Sequence, residues 1–289
     1  MRLLRFRRAP IVVIGMHRSG TTMLVRSLQQ LGVFMGSDTE KNAESLFFLE
    51  LNDWILRQSA ARWDAPTGIG NLLKNEAYLT LLLKYLDFIA KGLRAIRYLG
   101  LRGCWLIFMR PNCLWGWKDP RNTFTLPLWL ELFPNAKIIC VERNGVDVAK
   151  SLLSRQKHDI TKLNDKFNIF KWLYSIRLKK EALGGSCLIN SETDAVELWK
   201  QYVEEARRHV IQYRANSLFI NYEEFLTEPE AGIRRLAEFV GAKVSENEVQ
   251  RIVLMVDKSR ANASSGDNDY REFYSRHENI LSIHNADPR

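Results

Sequence analysis

The segment Ile11 to Thr22, IVVIGMHRSGTT, places four β-branched or aliphatic residues ahead of Gly15 and a short loop that closes on Gly20-Thr21-Thr22. An apolar helical pattern follows, so the segment reads as strand, turn and helix N-terminus, where backbone N–H groups and the helix dipole hold an anion. Gly15 and Gly20 have the spacing of a Walker A loop, but Thr21 stands where that loop has its lysine. The turn is equipped to hold a phosphate and lacks the lysine an NTPase sets on the transferred phosphoryl group. Arg18 is the cation inside the loop that can take up that task. Arg143 ends a second apolar run, and Ser151 lies eight residues further on, about two turns into the next helical pattern. The carboxyl ends of strands are where open α/β sheets bind their ligands.

The elements that position these residues are legible as alternating strands and helices. A helix runs from Met23 to Leu31 and stops at Gly32, and another covers Leu46 to Leu56. Trp63 to Gly70 reads as a Pro/Gly loop, and Glu76 to Leu99 as the longest helical pattern. Trp115 to Lys118 is a short strand, with a helix after Pro120 through Leu132. Ala136 to Val141 is an uninterrupted apolar run, as expected of a buried parallel strand. Val146 to Leu153 is helical, and residues 156–191 read as a mobile cap or insert. Val196, Trp199, Val203, Ala206, Val210 and Tyr213 mark an amphipathic helix. Ser217 to Asn221 is a strand, Pro229 to Val240 a helix, and residues 259–289 a polar, loop-like tail. This order predicts one α/β domain over 1–289, with a central parallel sheet flanked by helices and a basic arm over 1–9.

Composition narrows the partners. The formal net charge of +9 on 289 residues suggests a polyanionic ligand. No dense Lys/Arg block follows the N-terminal RLLRFRR, which favours a nucleotide over nucleic acid. Arg2, Arg5, Arg7 and Arg8 could touch an anionic membrane, but nothing else favours that contact. Cys104, Cys113, Cys140 and Cys187 show no metal-binding spacing, and reduced thiols fit a cytoplasmic protein. No apolar run approaches the roughly twenty residues of a membrane span.

Four motifs taken in order, GMHRSGTT, WGWKDPR, LFPNAKIICVERNGVDVAKSLLSR and FINYEEFLTEP, resemble the sulfotransferase superfamily, from about Ile11 to Gly241. The likeness is strongest to the bacterial branch that also resembles the tyrosylprotein sulfotransferases. The resemblance implies a P-loop-type α/β fold, 3′-phosphoadenosine 5′-phosphosulfate (PAPS) as donor, a hydroxyl-bearing acceptor and no requirement for metal. It places the backbone of Ser19, Gly20, Thr21 and Thr22 around the 5′-phosphate. Arg18 stands beside the oxygen that bridges phosphate and sulfonate, where a fixed cation meets growing charge. It assigns Arg143 and Ser151, with Arg155 as a third contact, to the 3′-phosphate. Lys118 is assigned to the transferring sulfonate. Tyr222 is either a contact to the adenosine side or a core tyrosine. Asp119 either holds a lysine or caps the helix after Pro120, and Arg121 is either an ion-pair partner or a substrate contact. A general base must accept the acceptor's proton. Glu44 is favoured for it, with Glu50, Glu40 and His17 as alternatives. A kinase or nucleotide hydrolase of P-loop type, or a nucleotide-binding protein without catalysis, are the competing readings.

Overall fold

In the computed structural model, which describes residues 6–40, 42–110, 112–177, 185–258 and 268–282, the apolar runs become parallel strands. These are β1 (Ile11–Gly15), β2 (Gly116–Lys118), β3 (Lys137–Glu142) and β4 (Ser217–Asn221), in the order β2-β1-β3-β4. Ile11 lies opposite both Gly116 and Lys137, and Ile138 opposite Ser217. Parallel neighbours need long crossovers, which the helices supply. The chain leaves β1 toward β2 and then returns past it to β3. The topological switch therefore falls between β1 and β3, where the loop after Gly15 and Arg143 emerge side by side.

The helices in chain order are α1 (Thr21–Gln30), α2 (Leu46–Arg57), α3 (Ile69–Lys74), α4 (Glu76–Lys91), α5 (Ile96–Met109) and α6 (Asn122–Leu132). They continue with α7 (Gly145–Ile176), α8 (Glu192–Gln212), α9 (Tyr222–Thr227), α10 (Pro229–Val240), α11 (Glu246–Val253), α12 (Asn268–Arg276) and α13 (Glu278–Leu281). Side chains alternate across the sheet, so β1 feeds two cores. Val12 and Ile14 join Phe48, Trp117, Trp129 and Trp199 on one face. Ile11 and Val13 join Leu24, Ile220, Ile233 and Leu236 on the other. All five residues of β1 are buried, as a strand covered on both faces requires.

Three expectations from periodicity change. The pattern expected to run unbroken from Glu76 to Leu99 stops at Gly92, which takes an extended conformation, and α5 is itself kinked at Gly100 (φ 55°). The first part of the segment expected to be a separate cap, residues 156–176, continues α7 without a break. Its residues 178–184 lie outside the described residues. The tail expected to be loop-like contains α12 and α13, whose Phe273 and Leu281 are buried. Residues 259–267 and 283–289 of that tail, and residues 1–5 of the basic arm, lie outside the described residues. Phe6 of the arm stacks on Trp115 with ring centroids 4.6 Å apart, and Trp115 Nε1 donates to the Arg8 carbonyl at 2.8 Å.

Candidate active site

The loop between β1 and α1 is shaped by three positive φ angles, at Gly15 (136°), Arg18 (70°) and Gly20 (80°). A Cβ on Gly15 would lie 2.4 Å from the Val141 carbonyl oxygen, and one on Gly20 would lie 2.0 Å from the Tyr222 ring. Glycine lets the loop pass against β3 on one side and Tyr222 on the other. Gly20 is also the N-cap of α1. No side chain caps that helix and no acidic residue sits in its first turn, which leaves the amide end suited to an anion.

The loop opens on a cavity of about 140 Å³ lined by His17, Arg18, Gly20, Thr21, Thr22, Asn42, Glu44, Lys118, Arg143, Arg155 and Tyr222. Residues expected from four separate motifs thus meet at the carboxyl ends of all four strands. Ser19 is buried in the loop itself, and Ser151 lines an adjoining groove with Ser154, Arg155 and His158. Among the described residues, Ser19 Oγ, His17 Nε2 and Arg143 Nε are buried side-chain atoms with no hydrogen-bond partner. Buried polar groups are normally satisfied, so the two of these residues that line the cavity, His17 and Arg143, mark places for a polar ligand.

Arg143 is held from several directions. Its Nη2 donates to Asp147 Oδ2 at 3.0 Å, its Nη1 donates to the Arg18 carbonyl at 3.2 Å, and its guanidinium lies 4.9 Å from the centroid of the Tyr222 ring. Tyr222 is therefore a buried packing residue between Gly20 and Arg143 and also lines the cavity. Arg18 Nε donates to Ser151 Oγ at 2.8 Å, which joins two residues that the family resemblance would assign to different ends of a donor. Arg155 pairs with Asp159 at 3.4 Å along α7.

The carboxylate candidates separate cleanly. Glu44 is buried with its Oε1 2.9 Å from Lys118 Nζ, and Lys118 also donates to the Asn42 carbonyl at 2.7 Å. Burial pushes the Glu44 carboxyl above the usual glutamate range, against the opposing pull of the Lys118 ammonium. Glu50 instead faces outward from α2 and accepts from Arg97 Nη1 at 2.6 Å, with Arg94 at 3.5 Å. Glu40 is exposed and does not line the cavity; its backbone N–H donates to the Glu44 carbonyl at 2.9 Å. His17 is buried at the cavity wall, its ring edge-on to Trp63 (5.0 Å) and Tyr202 (6.1 Å). Burial, and then the charges of Arg121, Arg155, Lys118 and Arg18, push its imidazole well below the usual range, so it is neutral near pH 7.

Among the described residues Asp119 is paired with no lysine. Its Oδ1 accepts from the Arg121 backbone N–H and from Arg121 Nη1, each at 3.0 Å, so it caps the turn into α6 and pairs with Arg121. Asn52 is a positioning residue that the motif reading missed. Its Nδ2 donates to Asp119 Oδ2 (3.0 Å) and Asn122 Oδ1 (2.8 Å), and its Oδ1 accepts from Thr125 Oγ1 (2.7 Å) and Trp129 Nε1 (2.8 Å). The signal was present: Asn52 follows Phe48 by four positions and so falls on the inward face of α2. Among the described residues no group of three or more His, Cys, Asp or Glu is placed to hold a metal ion.

Comparison with known proteins gives three results. Residues 10–246 match the sequence model of a family described as the sulfotransferase family. No curated protein matches the chain. Among solved structures, a sulfotransferase from Mycobacterium tuberculosis superposes with a TM-score of 0.50 at 14% identity, over 94% of this chain and 77% of that one. A sulfotransferase from Alicyclobacillus acidocaldarius gives 0.47 at 17% identity, over 97% of each chain. A mouse sulfotransferase complexed with PAP gives 0.45 at 15%, over 87% of this chain and 65% of that one.

Proposed function

Because the chain belongs to the sulfotransferase family and is a sulfonate-transferring enzyme, we propose that PAPS is its donor and that the cavity at the β1/β3 switch point is its active site. The observation that carries this reading is the meeting, in one cavity, of an uncapped anion-binding loop, Arg18, Arg143 and the buried Glu44–Lys118 pair. The residues present suit a ligand with a phosphate at each end. The α1 amide end, with the backbone of Thr21 and Thr22 and the Thr21 hydroxyl, suits one phosphate, while the Thr22 hydroxyl donates to the Asn42 carbonyl at 3.0 Å. Arg143, whose Nε has no partner in the fold, suits the other together with Ser151 and Arg155. PAPS, when bound, supplies a sulfonate attached to a phosphate leaving group.

The chain's own groups divide the remaining work. Glu44 accepts the proton of the acceptor hydroxyl, and burial, by raising its proton affinity, makes it a better base than an exposed glutamate. A proton arriving on Glu44 cancels the charge that holds Lys118. The ammonium is then available to oxygen atoms that gain negative charge in the transition state, where a fixed cation is most effective. Asn52 and Asp119 hold the β2–α6 turn from which Lys118 projects. His17 is the second candidate to receive a proton, and its low proton affinity makes it the weaker one. We infer one domain over residues 1–289 and, from the residues alone, a cytoplasmic location, a reading that four free cysteines fit. Among the described residues no helix is long and apolar enough to cross a membrane.

Thermal unfolding with adenosine 3′,5′-bisphosphate, adenosine 5′-phosphate, and ATP with and without magnesium tests the donor assignment. A ligand that binds only the folded state raises its stability by mass action. The bisphosphate should stabilise most and without metal. Stabilisation by ATP with magnesium alone would overturn the assignment.

A further inference from the structure

The distal half of α7 stands away from the body of the fold. Up to Leu153 the helix packs inward, and Gln156 is pinned to the Ser186 backbone, its Oε1 accepting from the Ser186 N–H at 2.9 Å. Beyond it nearly every residue is exposed. Phe167 (54%), Ile169 (65%), Phe170 (43%), Trp172 (64%), Leu173 (38%) and Ile176 (80%) show large fractions of their surface to solvent. Isolated exposed apolar residues are ordinary, but a run of this density marks an interaction surface.

Two observations select the partner. Successive residues turn by about 100° around a helix, so these side chains spread over about two thirds of its circumference, with Asn168, Lys171 and Ser175 on the remainder. A single packed protein neighbour covers a stripe only somewhat wider than about 100°. Charge supplies the second observation. Lys162 and Lys166 precede the apolar end, and Arg177, Lys179 and Lys180 follow it in the sequence. Asp165 lies among them and Glu181 follows Lys180 in the sequence, so these five cations outnumber two acids, Asp159 being paired with Arg155. Two copies of this helix laid together would oppose like charges, whereas an anionic lipid surface complements them.

We propose that the end of α7, residues 167–176, lies along the interface of one leaflet of an anionic membrane, its apolar side chains dipping below the headgroups and Lys162, Lys166 and Arg177 among them. Ten helical residues rise about 15 Å, half of a hydrocarbon core of about 30 Å, so the stretch is too short to cross, and cationic residues at both its ends keep it in the interface. Lys171 reaches back to the headgroups along its own aliphatic stem. Trp172 and Tyr174 are side chains that favour the membrane interface. Because the helix begins at the active site, docking brings the groove lined by Ser154, Arg155 and His158 close to the membrane surface. The contact does not involve the basic N-terminus and does not depend on which donor the enzyme uses.

Flotation of the full chain with vesicles tests this. The protein should float with phosphatidylcholine vesicles containing about one third phosphatidylglycerol, and several-fold less with phosphatidylcholine alone or in high salt. The double variant Phe170→Ser with Trp172→Ser should lose at least about tenfold in partitioning, since each aromatic contributes its own buried area. Both positions are exposed, so the melting temperature should not change, and it serves as the check on folding. A wild-type chain that remains at the bottom of the gradient, or a double variant that floats as well as wild type, overturns the proposal. So does a concentration-dependent dimer that the double variant abolishes without any flotation, which would make a second copy the occupant.

Discussion

Lys118 Nζ and Glu44 Oε1 lie 2.9 Å apart at the floor of the cavity, both side chains almost fully buried and separated by 74 positions in the chain. A buried pair of this kind is costly to break by removing one partner, because the other charge is left uncompensated. It also joins the cation and the base of the proposed chemistry in one contact, so a change at either should alter both functions.

Glu44→Gln should retain donor binding, because the amide preserves size and can still meet Lys118. Single-turnover sulfonate transfer at saturating donor should fall by about 10²–10⁴-fold, the usual range for loss of a general base. Glu50→Gln should stay within a few-fold of wild type, since Glu50 pairs with Arg97 and Arg94 away from the cavity. An inactive Glu50 variant beside an active Glu44 variant would reverse the assignment.

The pH profile follows from the direction of the Glu44 shift. A base must be ionised, and burial raises the pH at which this carboxylate loses its proton. The acid limb of the rate should therefore lie above the ordinary glutamate value of about 4.3, with the rate falling as pH drops through it. Measurement of kcat against pH should show this limb in wild type and not in the residual activity of Glu44→Gln.

Arg143→Ala should weaken binding of adenosine 3′,5′-bisphosphate by about 1.5–3 kcal/mol, the scale of a hydrogen bond to a charged group. Adenosine 5′-phosphate should lose far less, because the contact assigned to Arg143 is to the 3′-phosphate. Calorimetry with both ligands distinguishes these outcomes, and equal losses would remove Arg143 from that role.

Gly20→Ala should weaken the fold and the anion site together. The new methyl group would sit 2.0 Å from the Tyr222 ring in a backbone with φ of 80°. The backbone conformation alone costs about 1–3 kcal/mol for a residue other than glycine. Combining it with Tyr222→Ala should relieve the steric part, so the double variant should melt closer to Tyr222→Ala alone than the separate losses would sum to. Strict additivity would mean that the two residues do not press on each other.

Local features were determined by the sequence itself. The Gly15–Gly20 turn, the strands ending at Lys118 and Glu142, and the helix over Pro229–Val240 follow from backbone sterics and from apolar periodicity, which act over a few residues. Those signals placed Arg18, Lys118 and Arg143 at strand ends, and hence at one edge of the sheet. Periodicity was weaker where apolar residues point outward. The end of α7 has no buried face to mark, so its pattern read as an insert rather than as helix. In α12 and α13 the few apolar anchors are diluted by charge, although Phe273 and Leu281 are buried. The family resemblance favoured Glu44 over Glu50, but only tertiary structure gives the physical reason that one lines the cavity and the other does not. Glu44 and Glu50 are six positions apart and chemically identical, and what separates them is Lys118 for one and Arg97 for the other, each brought up from a distant part of the chain. The same holds for Asn52, whose four partners all come from the β2–α6 region. A side chain's protonation and hydrogen bonding depend on burial and on charges within a few ångströms, and those neighbours exist only once the chain has closed on itself.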